Sequence, residues 1–288
     1  MKVEVALVRA FVDGEQGGNP AGVVLNADHL SSRQKLAIAD KVGLSETAFV
    51  SKSEVADFKL DFFTPKRQIA HCGHATVATV ATFGYLAQKG FLGKSQSSKE
   101  TIDGARNIII KSGGAYMEQL GPTYKPLEVD DIHRAIGITP GDTLAAPMIV
   151  NTGNAFFIVG VKNIEVLNRL TPNYGFIEAL SEKYDLIGLY VFTRETNHPG
   201  RDASTRMFAP RYGIAEESAT GMAAGPLACY LHDYLAVKKN HFVVEQGYSM
   251  IKPSPSCINV ELKTNGSLIS SLNAGGISKV SDVIYVVV

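Results

Sequence analysis

The chain has no net charge to offer: 28 Lys and Arg balance 28 Asp and Glu. With no excess of either sign and no sustained basic stretch, it carries no field that would gather nucleic acid or an anionic membrane surface. Cysteine is scarce. Cys72, Cys229 and Cys257 are odd in number and lack a disulfide-like spacing, so a reducing, cytoplasmic setting is expected. No apolar run is long enough to span a bilayer without meeting Gly, Pro, His or Asp, and the N-terminal residues are not expected to be a signal peptide. Phosphate-cradling and dinucleotide fingerprints are missing, as is a Gly-x-Ser-x-Gly elbow, so no cofactor is implied. What remains, at 288 residues and 45% apolar, is an ordinary globular composition with a substantial core, suited to a small neutral or zwitterionic ligand.

One short pattern occurs twice. Phe63-Thr64-Pro65 is followed by Cys72-Gly73-His74-Ala75-Thr76, which opens an alanine-rich apolar segment. Phe208-Ala209-Pro210 is followed by Thr220-Gly221-Met222-Ala223-Ala224, which opens another. A Gly-Asn stands upstream of each copy, Gly18-Asn19 and Gly153-Asn154. Three anchors in the same order at similar spacing point to an internal duplication. Both apolar segments, Ala75 to Lys89 and Gly221 to Leu235, have too little charge for a surface helix and are expected to be enclosed by strands.

Around them, alternation predicts strands at Val3 to Val12, Ala21 to Leu25, Asp57 to Phe63, Asn107 to Lys111 and Ala115 to Leu120. Ser31-Ser32 and Gly43 bracket a helix. The second half repeats the plan, with strands at Phe156 to Val161, Gly188 to Phe192, His241 to Gln246, Cys257 to Leu262 and Val283 to Val288. Helices are expected at Asp130 to Ile136 and Phe176 to Tyr184. The polar stretches Gln88 to Arg106 and Asn197 to Thr205 read as loops, the first a mobile one. The expected fold class is α+β: two pseudo-symmetric lobes, each a curved, mostly antiparallel sheet wrapped around a central apolar helix. The lobes are placed at 1–120 and 121–277, with a strand at about 278–288 that can return to the first.

Chemistry is expected where the halves meet. The first turn of a helix has N–H groups with no intrahelical partner and a partial positive charge, and glycine there lets an anionic group approach. Either Gly73 or Gly221 alone would serve equally as a packing contact, but their repetition at equivalent places points to function. His74, at a helix mouth, is either a structural residue or a neutral donor and proton relay. Glu46, in Leu44-Ser45-Glu46-Thr47-Ala48-Phe49, is flanked by apolar residues whose burial of it would suit a general base. Glu216-Glu217 either caps the second helix or forms two adjacent carboxylates that raise one another's pKa. Cys72 is a candidate activated thiolate, and His71-Cys72-Gly73-His74 a weak metal pattern without a fourth ligand.

Read as an ordered set, six motifs resemble the PhzF-like phenazine-biosynthesis family. They are Gly18-Asn19-Pro20-Ala21-Gly22-Val23, Leu44 to Phe49, Phe63-Thr64-Pro65, Cys72 to Thr76, Arg206-Met207-Phe208-Ala209-Pro210 and Ala219-Thr220-Gly221. Gln246-Gly247, Met250 and Lys252-Pro253-Ser254 extend the likeness. The resemblance implies the diaminopimelate epimerase-like fold, a homodimer, and cofactor-independent proton transfer at carbon on a small carboxylate-bearing metabolite. It assigns Glu46 as general base and acid with His74 beside it, and Glu217 as an assisting carboxylate where the family has aspartate. Gln68 stands where relatives often carry glutamate. Asn19, Ser45, Cys72, Gly73, Thr220, Gly221 and Met222 are the matching candidates for substrate contact.

The related epimerases pair two cysteines, one per lobe. Here the second position is Thr220, whose hydroxyl does not titrate in the range of a thiol near 8.5. A single-base isomerase is therefore expected. A racemase or dehydratase using Cys72, and a silent metabolite-binding protein, are the alternatives.

Overall fold

The computed structural model describes residues 1–69, 72–90, 96–102, 104–111, 113–126 and 130–288, and side chains except those of 72–78 and 130. The chain divides into two compact units, Met1–Glu118 with Gly275–Val288, and Gln119–Ala274. Among the described residues no helix is long and apolar enough to cross a membrane.

In the first unit, β1 (Lys2–Ala10) pairs antiparallel with β2 (Asn19–Val24). Helix α1 (Ser32–Val42) follows, opened by a capping box in which Ser31 and Gln34 each satisfy the other's backbone N–H, and it ends at Gly43. The chain then enters β3 (Thr47–Ser51), parallel to β2, and returns as β4 (Phe58–Phe63) and the short β5 (Gln68–Ile69). Helix α2 (Cys72–Gln88) packs on β1 to β3, with Val80, Ala81, Phe83, Tyr85 and Leu86 buried. Next come β6 (Gln96–Thr101), parallel to β4, then β7 (Gly104–Lys111) and β8 (Gly114–Leu120) as antiparallel neighbours.

The second unit repeats this pairing. After β9 (Thr123–Pro126) and α3 (Asp130–Ile136), β10 (Met148–Asn151) pairs antiparallel with both β9 and β11 (Ala155–Gly160). Helices α4 (Ile164–Asn168) and α5 (Tyr174–Tyr184) lead to β12 (Gly188–Thr193), parallel to β11. Then follow β13 (Ala203–Ala209), antiparallel to β12, and β14 (Ile214–Glu217). Helix α6 (Gly221–Asp233) has every residue from Gly221 to His232 buried. After it, β15 (His241–Gln246) runs parallel to β13 and antiparallel to β16 (Ser256–Asn265). The order antiparallel, parallel, antiparallel, hairpin, helix, parallel, antiparallel is the same in both units, and Asn19 and Asn154 stand at the heads of equivalent strands. Matching topology on top of matching anchors is the structural form of the duplication.

The last strand, β17 (Leu268–Val287), runs through both units. Its end pairs antiparallel with β1, from Lys2 opposite Val287 to Ala10 opposite Ser278. The core of the first unit includes Val5, Val24, Ile38, Phe49 and Phe63, and that of the second Ile136, Phe157, Leu180, Val191 and Phe208. Fully burying each such side chain contributes about 1.5–3 kcal/mol.

Two expectations need correction. Gln88 to Arg106 is largely a hairpin, β6 and β7, rather than a loop, with residues 91–95 and 103 outside the described ones. In β6 the residues alternate, with Ser97, Lys99 and Thr101 buried. The inner row is polar, so hydrophobic periodicity does not reveal it. Lys99 is fully buried, its Nζ over the Phe62 ring at 5.5 Å from the centroid and 2.9 Å from Thr79 Oγ1. Similarly, Asn197 to Thr205 ends inside β13, which begins at Ala203.

Candidate functional site

Glu46 stands where the turn after α1 enters β3. Its main-chain oxygen accepts from Gly22 N at 3.0 Å, which ties it to β2. Gly22 has no room for a larger residue, since a Cβ would lie 2.9 Å from Thr47 Oγ1. The Glu46 side chain is 0% exposed, and its Oε2 accepts from Ser45 Oγ at 2.7 Å while Ser45 itself is exposed. Asn19, buried at the head of β2, shares this sheet with Glu46. Cys72 and Gly73 begin α2, so the helix opens at the motif. The side chains of Cys72 and His74 lie outside the described ones, as does His71, and with them the metal-like run. Gln68 lies in β5 opposite Phe63.

In the second unit Thr220 is the N-cap residue of α6, yet it makes no side-chain cap. Its hydroxyl instead donates to Glu217 Oε2 at 2.6 Å. The N–H groups of Gly221 and Met222 are thereby left without a side-chain cap at the positive end of the helix. Gln119 Nε2 donates to the Gly221 main-chain oxygen at 3.0 Å, and Thr152 Oγ1 donates to Gln119 Oε1 at 2.7 Å. The residue before Gly153-Asn154 therefore reaches the start of α6, which gives that anchor a purpose.

Glu216 and Glu217 do not form a coupled pair of carboxylates. Successive strand residues face opposite ways. Glu216 is held bidentately by Arg206, at 2.8 Å from Nε and 2.9 Å from Nη2, whereas Glu217 turns to Thr220. Nor does either acid cap α6, because both belong to β14.

Gln246 lies behind Thr220. Its Oε1 accepts from Thr220 N at 3.0 Å and from Tyr190 Oη at 2.9 Å. Its Nε2 donates to the Glu217 main-chain oxygen at 2.7 Å and to Thr220 Oγ1 at 3.1 Å. Burial and the charge of Glu217 push the Tyr190 phenol up from its ordinary value, so it stays a donor. Gly247 follows with φ +83, and a Cβ there would stand 2.1 Å from the Ser254 oxygen, so only glycine allows this turn after Gln246. Gln246, Tyr190, Gln119 and Arg206 carry no assigned role in the sequence reading. Gln246 and Arg206 do fall inside the motifs, which was the available signal.

The structure thus brings Ser45 and Glu46 together in the first unit, and Glu217, Thr220, Gly221 and Met222 in the second. A buried carboxylate can serve as a general base, and an uncapped helix start can receive an anion. Residues 8–277 match the family model for phenazine biosynthesis-like proteins, PhzC-PhzF, and the chain belongs to that family. It is 35% identical to the uncharacterised isomerase YfhB of Bacillus subtilis strain 168, over 97% of this chain and 94% of that one. It is 32% identical to the trans-2,3-dihydro-3-hydroxyanthranilate isomerase of Pseudomonas chlororaphis, over 86% of this chain and 87% of that one. The crystal structure of a PhzF-family phenazine biosynthesis protein from Bacillus anthracis superposes with a TM-score of 0.88 at 29% identity, covering all of both chains. The expected α+β fold of the diaminopimelate epimerase type is the fold found, and the chain is an isomerase of this family.

Proposed function

We propose that this isomerase moves a proton between two carbons of a small carboxylate-bearing metabolite without a cofactor, using Glu46 as general base and then acid. The observation that carries this reading is the complete burial of Glu46 beside the Ser45 hydroxyl at 2.7 Å. A carboxylate removed from water is poorly solvated and so a stronger base towards a carbon acid, and between removal and return its proton exchanges with solvent through the exposed Ser45 hydroxyl. In this reading His74 serves as a proton relay and Glu217 as the assisting carboxylate. Gly73 and Gly221, each at a helix start, are the candidate contacts for the substrate's anionic group. Asn19, Ser45, Cys72, Thr220 and Met222 contact the substrate.

Thr220 supports a one-base mechanism, because a hydroxyl donating to Glu217 is no counterpart for a thiolate. The substrate class follows that of the Pseudomonas relative, whose dihydro-hydroxyanthranilate is a ring acid that such a proton shift would isomerise. Incubating the protein with trans-2,3-dihydro-3-hydroxyanthranilate in deuterium oxide should place deuterium at carbon in the product. In Glu46→Gln, with an unchanged circular dichroism spectrum, incorporation should fall about 10²–10⁴-fold. If Glu46→Gln still turns over while Cys72→Ala is inactive, the role passes to the thiol and the reading fails.

A further inference from the structure

The hydrogen bonds of Gln246 have a direction that can be worked out from the chemistry of their ends. The main-chain oxygen of Glu217 can only accept, and the main-chain N–H of Thr220 can only donate. The Gln246 amide must therefore turn Nε2 to the first, at 2.7 Å, and Oε1 to the second, at 3.0 Å. A flipped amide would set donor against donor and acceptor against acceptor in a site only 1% exposed. With that orientation set, Nε2 also faces Thr220 Oγ1 at 3.1 Å and has no lone pair, so the hydroxyl oxygen must accept. The hydroxyl proton is then directed to Glu217 Oε2, 2.6 Å away, a length typical of a hydroxyl donating to a charged oxygen. Tyr190 Oη donates to Gln246 Oε1 at 2.9 Å, filling its second acceptor position. Beyond it, Thr205 Oγ1 has one proton for two neighbours, the Glu245 main-chain oxygen at 2.7 Å and Tyr190 Oη at 3.0 Å, so the directed run ends at Tyr190.

We infer that Gln246 is a positioning residue that points the Thr220 hydroxyl at Glu217 Oε2, so that any proton Glu217 carries or delivers sits on Oε1. This rests on the reading that Glu217 takes part in the proton transfer. It goes further by naming the oxygen that does so and the residue that makes the two oxygens unequal. Among the described residues, the neighbouring acids and the Tyr190 phenol have partners of their own. Glu216 is committed to Arg206, Glu245 to Arg201 on the far side of β15, and the Tyr190 proton to Gln246. The first turn of α6 holds no acid.

The test is a titration of the Glu217 carboxyl by carbon NMR in the full chain, selectively labelled at glutamate. Thr220→Val keeps the side chain's shape and removes the donor, so the midpoint of Glu217 should rise by about one pH unit. Thr220→Ser should restore it. Gln246→Glu acts by another route, since an acceptor in place of Nε2 draws the Thr220 proton away from Glu217, and the midpoint should rise again. Either variant, folded by its amide spectrum and titrating where the unaltered protein does, overturns the inference. The readout needs no turnover. A midpoint that moves as expected in a protein that incorporates no deuterium supports the directed chain and sinks the isomerisation reading instead.

Discussion

At the scale of single residues, the second unit invests buried charge in holding its shape. Glu245 is wholly buried, and its two oxygens accept from Asn197 N at 2.8 Å, Asn197 Nδ2 at 3.0 Å, His198 N at 2.9 Å, Arg201 Nη1 at 3.1 Å and Ser204 Oγ at 2.6 Å. Such a carboxylate is satisfied by several donors rather than by one ion pair. Glu245→Gln sets an amide donor against some of them and removes the negative charge that faces Arg201. Urea unfolding should show a loss of about 3 kcal/mol. Because Gln246 is the next residue in the strand, the same change should also lower the deuterium incorporation rate. Glu46 and the Thr220-Gly221 start of α6 were legible in the sequence, because each sits in a short local motif with its neighbours. The Gln246 side chain was not, since its four partners come from Tyr190, Glu217 and Thr220, separated in sequence and joined by strand pairing.

Whole elements show the same division between local and distant signals. Helix α1 was readable because its capping box and terminal Gly43 are local, and α6 because an uncharged segment must be enclosed. The β6 and β7 hairpin was hidden because Ser97, Lys99 and Thr101 form its buried row, and polar residues on an inner face look like a loop. The link of Arg206 to Glu216 depends on the β13–β14 turn, which brings together side chains that look unrelated along the chain. A smaller element offers a pH test. In the short 3-10 helix Pro140–Asp142, Asp142 accepts from Thr139 N at 2.9 Å and Thr139 Oγ1 at 2.7 Å, and pairs with Arg169. These donors, the backbone one foremost, push its carboxyl down to about 2 from an ordinary 3.8. A depressed carboxyl contributes stability above its unfolded value and loses it as pH falls through its folded one. The thermal midpoint of Asp142→Asn should therefore lie below that of the unaltered protein above about pH 4, and the gap should close towards pH 2.

For the molecule as a whole, the doubled plan was visible from three repeated anchors, and the repeated strand pairing accounts for them. What the anchors could not convey is that β17 serves both units. Its final part pairs with β1 along the full length of that strand, and Ser278 fastens it to α2 through Ser278 Oγ to the Val80 oxygen at 3.0 Å and Gln88 Nε2 to the Ser278 oxygen at 2.9 Å. Deleting residues 278–288 should leave β1 with one neighbour, β2. Hydrogen exchange should then speed up at β1 amides by roughly a hundredfold or more, while amides of β11 and β12 keep their protection.

The first unit is thus interrupted by the second, and its closing strand is made only after residues 119–274. During synthesis, domains generally fold as units in the order they leave the ribosome. Here the N-terminal residues must wait, with one side of β1 unpaired, while residues 119–274 emerge and fold around α6. An unpaired strand edge is open to wrong partners for that interval. Of the two units, the one that begins earlier is completed later.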